Sequence, residues 1–261
     1  MLTPWQQAQK VEHLRRSAFT LVLLCFLPGP PASADSYQIV TEEWAPYNYT
    51  ENNQLTGMTT EVVRAIMALT GDNFELVVLP SMRSAKVLKS RPKTLLYSMF
   101  RTPDREPLYK WVGPIAQESI YPYQLADADP VNSRAQLMRA PQITTRIAGL
   151  IPDTLQVQGF TNLDKSATGS EQLYRMLLAG RTDIIVGDTP AGVVYYSRQL
   201  NIPPATLRRI PVELYRSSLY IAFSPDSEDK VVAVWADALA KLRCPGELEC
   251  IQHRYDHLVE H

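Results

Sequence analysis

Short apolar runs of strand length alternate with stretches of helical periodicity along most of the chain. Residues 37–41, 74–79 and 94–98 are apolar on both faces, the pattern of strands covered by helices on both sides. Between them, residues 59–69 place Val62, Val63, Ile66, Met67 and Leu69 at helical spacing, with Gly71 as the stop. Residues 84–89 fit a short helix. The second half repeats the logic. Residues 146–151, 183–187 and 218–223 are predicted strands, and 169–179 a helix with Leu173, Met176 and Leu177 turned inward. A last long helix starts after Asp226-Ser227, with Val231, Val234, Trp235, Ala238, Leu239 and Leu242 as its apolar stripe. The alternation predicts an α/β fold with parallel-type sheets flanked by helices.

The first 34 residues stand apart. Lys10, Arg15 and Arg16 precede a ten-residue apolar run at 18–27, prolines follow, and Ala32-Ser33-Ala34 has the form of a cleavage site. The run is too short to span a bilayer, which takes about 20 residues. It predicts a signal peptide over 1–34, cleaved near Ala34, and export to the periplasm. Cys25 follows Leu23-Leu24 rather than small residues, which argues against a lipid anchor.

Charge narrows the partners. With 26 basic against 27 acidic residues the chain has no electrostatic footprint for nucleic acid or an anionic membrane, so a small solute or another protein is expected. Beyond the leader the histidines are His253, His257 and His261, all near the C-terminus. A Ser-His-Asp or Cys-His centre would have to recruit one of them, so no catalytic residues, metal or cofactor are assigned. Their i, i+4, i+8 spacing is that of one face of a solvated terminal helix. Cys244 and Cys250, an even pair in an exported chain, are expected to form a disulfide. Prolines number 20 and fall mainly between elements, and no Pro/Gly/Ser linker divides the chain.

Five segments in order carry a resemblance. They are Glu43-Trp44-Ala45-Pro46-Tyr47; Leu55-Thr56-Gly57-Met58; the stretch from Ser98 through Thr102 to Arg105, followed by Trp111-Val112-Gly113-Pro114-Ile115; Ala179-Gly180-Arg181-Thr182-Asp183 with Asp188; and Leu239 to Leu242 with Gly246 and Ile251 to Tyr255. Together they resemble the family 3 extracellular solute-binding proteins, the polar amino-acid receptors of ABC importers. The resemblance implies a type II periplasmic-binding fold with a two-segment hinge. One lobe would be 35–117 plus 216–261 and the other 118–215. The implied function is non-enzymatic capture of a small polar solute, as a monomer, for an inner-membrane ABC permease. Two alternatives share the fold. One is a periplasmic dehydratase, with Glu42 or Glu43 as general acid beside Arg105; the other is a sensor subunit.

The resemblance also nominates residues. Arg105 matches the position that holds the ligand carboxylate, which suits the rigid fork of a guanidinium; the alternative is a surface pair with Asp104 or Glu106. Asp188 matches the acid that accepts the ligand ammonium; the alternative is a helix cap before Thr189-Pro190. Ser98 is a candidate hydroxyl donor, Trp44 and Tyr47 a candidate aromatic wall, and Arg83 and Arg101 further cations near the strand ends. Relatives carry a hydroxyl where Phe100 stands. They also have a G-T/S-T turn where this chain has Pro152-Asp153-Thr154, of which only Thr154 matches. An acid at that helix end repels a carboxylate.

Overall fold

The structure, a computed structural model, describes residues 36–258 apart from 204 and 245. The expected leader, with Cys25 and Ala34, lies outside the described residues, as does His261. From Tyr37 onward the chain forms one compact unit.

Its strands are β1 (Gln38–Thr41), β2 (Tyr49–Glu51), β3 (Gln54–Thr56), β4 (Glu75–Val78), β5 (Thr94–Phe100), β6 (Lys110–Ile120), β7 (Tyr123–Leu125), β8 (Ile143–Arg146), β9 (Leu163–Ala167), β10 (Ile184–Val186), β11 (Leu207–Arg209) and β12 (Tyr215–Phe223). The helices are α1 (Met58–Thr70), α2 (Ser81–Ser90), α3 (Arg134–Arg139), α4 (Leu150–Val157), α5 (Ser170–Leu178), α6 (Pro190–Gln199), α7 (Asp229–Arg243) and α8 (Glu247–His253). They build two five-stranded sheets, ordered β4-β1-β5-β12-β6 and β11-β7-β10-β8-β9. In each, helix-connected strands run parallel and two further strands, β12 and β6 in the first sheet and β7 and β11 in the second, pair antiparallel at one edge. The chain passes from the first sheet to the second between β6 and β7 and returns between β11 and β12. At the passage Leu214 N–H donates to the Ile120 carbonyl at 2.9 Å, next to the Tyr215–Ile120 pair.

Both faces of each sheet are covered. On the first sheet, Val62, Val63 and Ile66 of α1 and Trp235, Leu239 and Leu242 of α7 pack on one face, and Leu88 of α2 on the other. On the second, Leu137 and Leu155 lie on one face and Leu173, Leu177 and Val193 on the other. Ile184 and Val186 point to the first of these clusters and Ile185 to the second, the period-two alternation of a strand buried on both sides. Trp235 is the largest fully buried side chain. It lies between Phe74 and Phe223, and its indole N–H donates to Asp72 at 2.7 Å.

Four expectations need correction. The strand predicted at 146–151 lies at Ile143–Arg146, and Leu150–Val157 is helix. Its inward residues Thr144 and Thr145 are polar, so the apolar run after them misplaced the element. Leu69 and Val234 flank their helical stripes and are exposed, at 52% and 42%. Cys244 and Cys250 are free, exposed thiols rather than a disulfide. Backbone bonds already fold that turn: Cys244 N–H to Ala240, Gly246 N–H to Arg243 and Cys250 N–H to Gly246.

Trp235→Ala should destabilise the protein by about 3–5 kcal/mol, because it opens a cavity in the core. Denaturant unfolding measures this; a loss under about 1 kcal/mol would contradict the packing described.

Candidate functional site

A cavity of about 360 Å³ lies where strands of the two sheets end. It is lined by Glu42 and Trp44 after β1, by Leu96 to Phe100 of β5 with Arg105, and by Arg146 at the end of β8 with residues 148–153. Open α/β sheets place ligands outside the carboxyl ends of their strands, and β1, β5 and β8 all end here. A second hollow of about 580 Å³ adjoins it and shares Glu42, Ser81, Met82, Arg146 and Ala148.

Local backbone chemistry positions each wall. The loop from Glu42 to Asn48 is drawn onto the start of α1: Met58 N–H donates to the Pro46 carbonyl at 3.0 Å, and Thr59 donates to that of Tyr47 from both its N–H and its hydroxyl. Only glycine fits at position 57. Its φ is +112°, and a Cβ there would lie 2.4 Å from the Tyr47 carbonyl oxygen. Strand β5 carries a bulge: Tyr220 pairs with Met99 and Ala222 with Leu96, so Tyr97 and Ser98 share one partner position. Ser98 has φ +60°, unusual for a residue with a side chain. Its hydroxyl lies 2.7 Å from that of Thr59, and the Tyr97 hydroxyl 2.9 Å from that of Thr60.

The structure brings Trp44, Ser98 and Arg105 into the cavity. Arg105 is half-buried, and its hydrogen bond goes to the Phe100 carbonyl at 3.3 Å. The neighbouring Glu106 pairs with Arg101 instead. Arg101 stacks over Tyr220 and Trp111, outside the cavity, and Arg83 is exposed on α2. Trp44 packs against Tyr47 and Phe100 at 4.6 and 5.7 Å between ring centres. Tyr47 is fully buried behind that wall. Thr154 lies in the second turn of α4 and does not line the cavity; the residues at the helix start are Ala148, Gly149 and Leu150.

Asp188 sits beneath the site. It is 4% exposed and accepts from the Ser170 hydroxyl at 2.7 Å and the Tyr174 hydroxyl at 3.1 Å. Burial raises its pKa, against the pull of the Arg146 charge and these two donors. The buried Trp44 indole N–H also favours the carboxylate without reaching hydrogen-bond geometry. Asp188 is not the cap of α6: Thr189 is, its hydroxyl accepting from Gly192 N–H at 3.1 Å.

Arg146 is the site residue that sequence reasoning missed. It ends β8, lines both hollows, and donates to the Gly187 carbonyl at 3.2 Å. Placing the strand three residues earlier would have put this arginine at a strand's carboxyl end, where a site residue is expected.

On the opposite side of Tyr47 lies Glu118 of β6. The Tyr47 hydroxyl meets the Thr189 hydroxyl at 2.8 Å, and it also faces the Glu118 carboxyl. Burial pushes Glu118 up to about 7, and the Tyr47 hydroxyl pulls the other way.

The fold is that of the periplasmic binding proteins. A family model for bacterial extracellular solute-binding proteins, family 3, matches residues 38–257, and the chain belongs to that family. A histidine kinase sensor domain with similarity to periplasmic binding proteins is similar at TM-score 0.76 and 19% identity, over 86% of this chain and 98% of that one. The arginine-, lysine-, histidine-binding protein ArtJ from Geobacillus stearothermophilus is similar at TM-score 0.71 and 18% identity, over 85% and 99%. An ancestral arginine-binding protein bound to glutamine is similar at TM-score 0.71 and 17% identity, over 84% and 97%. No curated protein sequence matches the chain.

Glu118 supplies a pH dependence. A carboxyl with a raised folded pKa favours folding while protonated, and that advantage is lost as pH rises from its ordinary 4.5 through about 7. Glu118→Gln should therefore raise the melting temperature at pH 8 and leave it unchanged near pH 4. Thermal unfolding across pH measures this; an equal shift at both pH values would refute it.

Proposed function

We propose that the protein is an exported, monomeric receptor that captures a small polar solute carrying a carboxylate and passes it to an inner-membrane ABC permease. The observation that carries this reading is Arg105, half-buried on the cavity, whose hydrogen-bond partner among the described residues is a backbone carbonyl. A guanidinium there can take a carboxylate through two charge-assisted hydrogen bonds, and Ser98 lines the same cavity. Residues 35–117 with 216–261 act as one lobe and 118–215 as the other, closing on the ligand about the β6–β12 ribbon. The leader over 1–34 directs the chain to the periplasm and is removed near Ala34. The cavity acts by binding, with Glu42 and Glu43 as solvated or ligand-facing acids rather than general acids.

A second reading is favoured by the likeness to a histidine kinase sensor domain. In it the same cavity binds the same solute, and the closed form docks to a membrane receptor. Uptake of labelled ligand by cells lacking the gene separates the two: uptake is lost for an importer and kept for a sensor.

A thermal-shift screen against amino acids, ω-amino acids and small dicarboxylates identifies the ligand, since saturation at about 100 times Kd adds about 2.7 kcal/mol of stability. Arg105→Ala should then weaken binding at least about 100-fold, or about 2.7 kcal/mol, with the fold intact. Arg105→Lys should recover part of that, because a point charge does not reproduce the fork. Unchanged affinity in Arg105→Ala, by calorimetric titration, removes the carboxylate clamp.

A further inference from the structure

On the far side of Tyr47 lies a separate cavity of about 620 Å³. Elements of both sheets wall it: Glu118 of β6 and Tyr255 near the C-terminus on one side, Ala191 of α6 and Arg209 of β11 on the other. None of its lining residues lines the cavity between the strand ends. Trp44 lines that first cavity and Tyr47 the second, with their ring centres 4.6 Å apart.

The charged groups on the second cavity differ in what they already meet. Asp256 is exposed and hydrogen-bonds His253 at 2.6 Å. Arg209 is exposed and lies over the Tyr121 ring, 5.0 Å from its centre, with its charge open to water. Glu118 is half-buried, and the buried residues lining the same cavity are Pro46, Tyr47, Met58 and Ala116. Among the described residues the Tyr47 hydroxyl favours the Glu118 charge and no cation does. The Thr189 hydroxyl accepts from Gly192 N–H, so its own proton can go to Tyr47 at 2.8 Å, which leaves the Tyr47 proton for Glu118. A carboxylate has about four lone-pair sites, and Tyr47 fills one. A carboxylate held against apolar walls costs free energy that a cation with several N–H donors offsets. Tyr255, tied by its hydroxyl to Glu61 at 2.5 Å, adds a fixed aromatic ring to the wall, and such rings attract cations.

We propose that this cavity is a binding site for a primary alkylammonium, with the nitrogen on Glu118 and the carbon chain against Met58, Ala116 and Ala191. Its occupant would touch elements of both sheets while leaving the first cavity open.

Calorimetric titration of the whole protein with butylammonium, 1-butanol and butyrate at pH 8, where Glu118 is mostly ionised, tests the site. Butylammonium should bind saturably at millimolar concentration or below, at least about tenfold more tightly than the alcohol or the anion of the same length. Glu118→Gln should weaken butylammonium at least about tenfold and leave butanol unchanged, a selectivity that damage to the fold would not produce. Ala191→Phe, which fills the cavity and leaves the carboxyl in place, should also weaken it. Wild-type affinity for butylammonium in either variant overturns the proposal. So does butanol binding as tightly as butylammonium, or no saturable binding of butylammonium by wild type at about 10 mM.

Discussion

The carboxylate of Asp188 is buried at the end of β10, and the Arg146 charge lies close by at the end of β8. A lone carboxylate in such a place costs several kcal/mol, and it is tolerated only with a cation and hydrogen-bond donors around it. Arg146 supplies the cation and Ser170 and Tyr174 supply the donors, all from the second sheet and its helix α5. That network ties Arg146 to Asp188, whereas Arg105, on the same cavity, hydrogen-bonds the Phe100 carbonyl. Removing Arg146 would leave a buried charge uncompensated, so the floor and the cavity wall are coupled through one pair.

The opposite wall depends on backbone rather than charge. Gly57 lets the Glu42–Asn48 loop lie against the start of α1, which buries Trp44 and Tyr47 and sets Glu42 at the cavity edge. The bulge at Tyr97 and Ser98 then turns β5 so that Ser98 meets both Thr59 and the cavity. A strained backbone angle persists where surrounding contacts over-determine it, and here two threonines of α1 do so. Tyr47 joins this wall to the second sheet through Thr189, the cap of α6. The site is thus assembled from elements of two sheets, joined beside it by the Tyr47–Thr189 hydrogen bond.

Much of the fold was legible because its signals are local. The α1 stripe ends at Gly71, which is left-handed as its stop position requires, and β5 is buried along its whole length. The α7 stripe around Trp235, Leu239 and Leu242 faces the core. Arg105 and Trp44, both nominated from the sequence, line the cavity from the loops after β5 and β1. Arg146 was not, since the polar Thr144 and Thr145 hid the true strand and the apolar residues after it imitated one. Thr144 is buried with its hydroxyl on that of Thr182 at 2.8 Å, a partner 38 residues away that no local pattern reveals, and Thr145 is buried with its hydroxyl unpaired among the described residues. The partners of Asp188 were hidden for the same reason: Ser170 and Tyr174 reach it across the fold, 18 and 14 residues away.

The central claim is that solute occupies the cavity between the strand ends and draws its two walls together. Hydrogen exchange of the whole protein, with and without the ligand that the screen identifies, tests it most directly. Slowed exchange should appear at residues 99–106 on one wall and 147–153 on the other, on both together and with the same ligand dependence. Protection confined to one wall, or found only around Glu118 and Tyr255 on the far side of Tyr47, would contradict it.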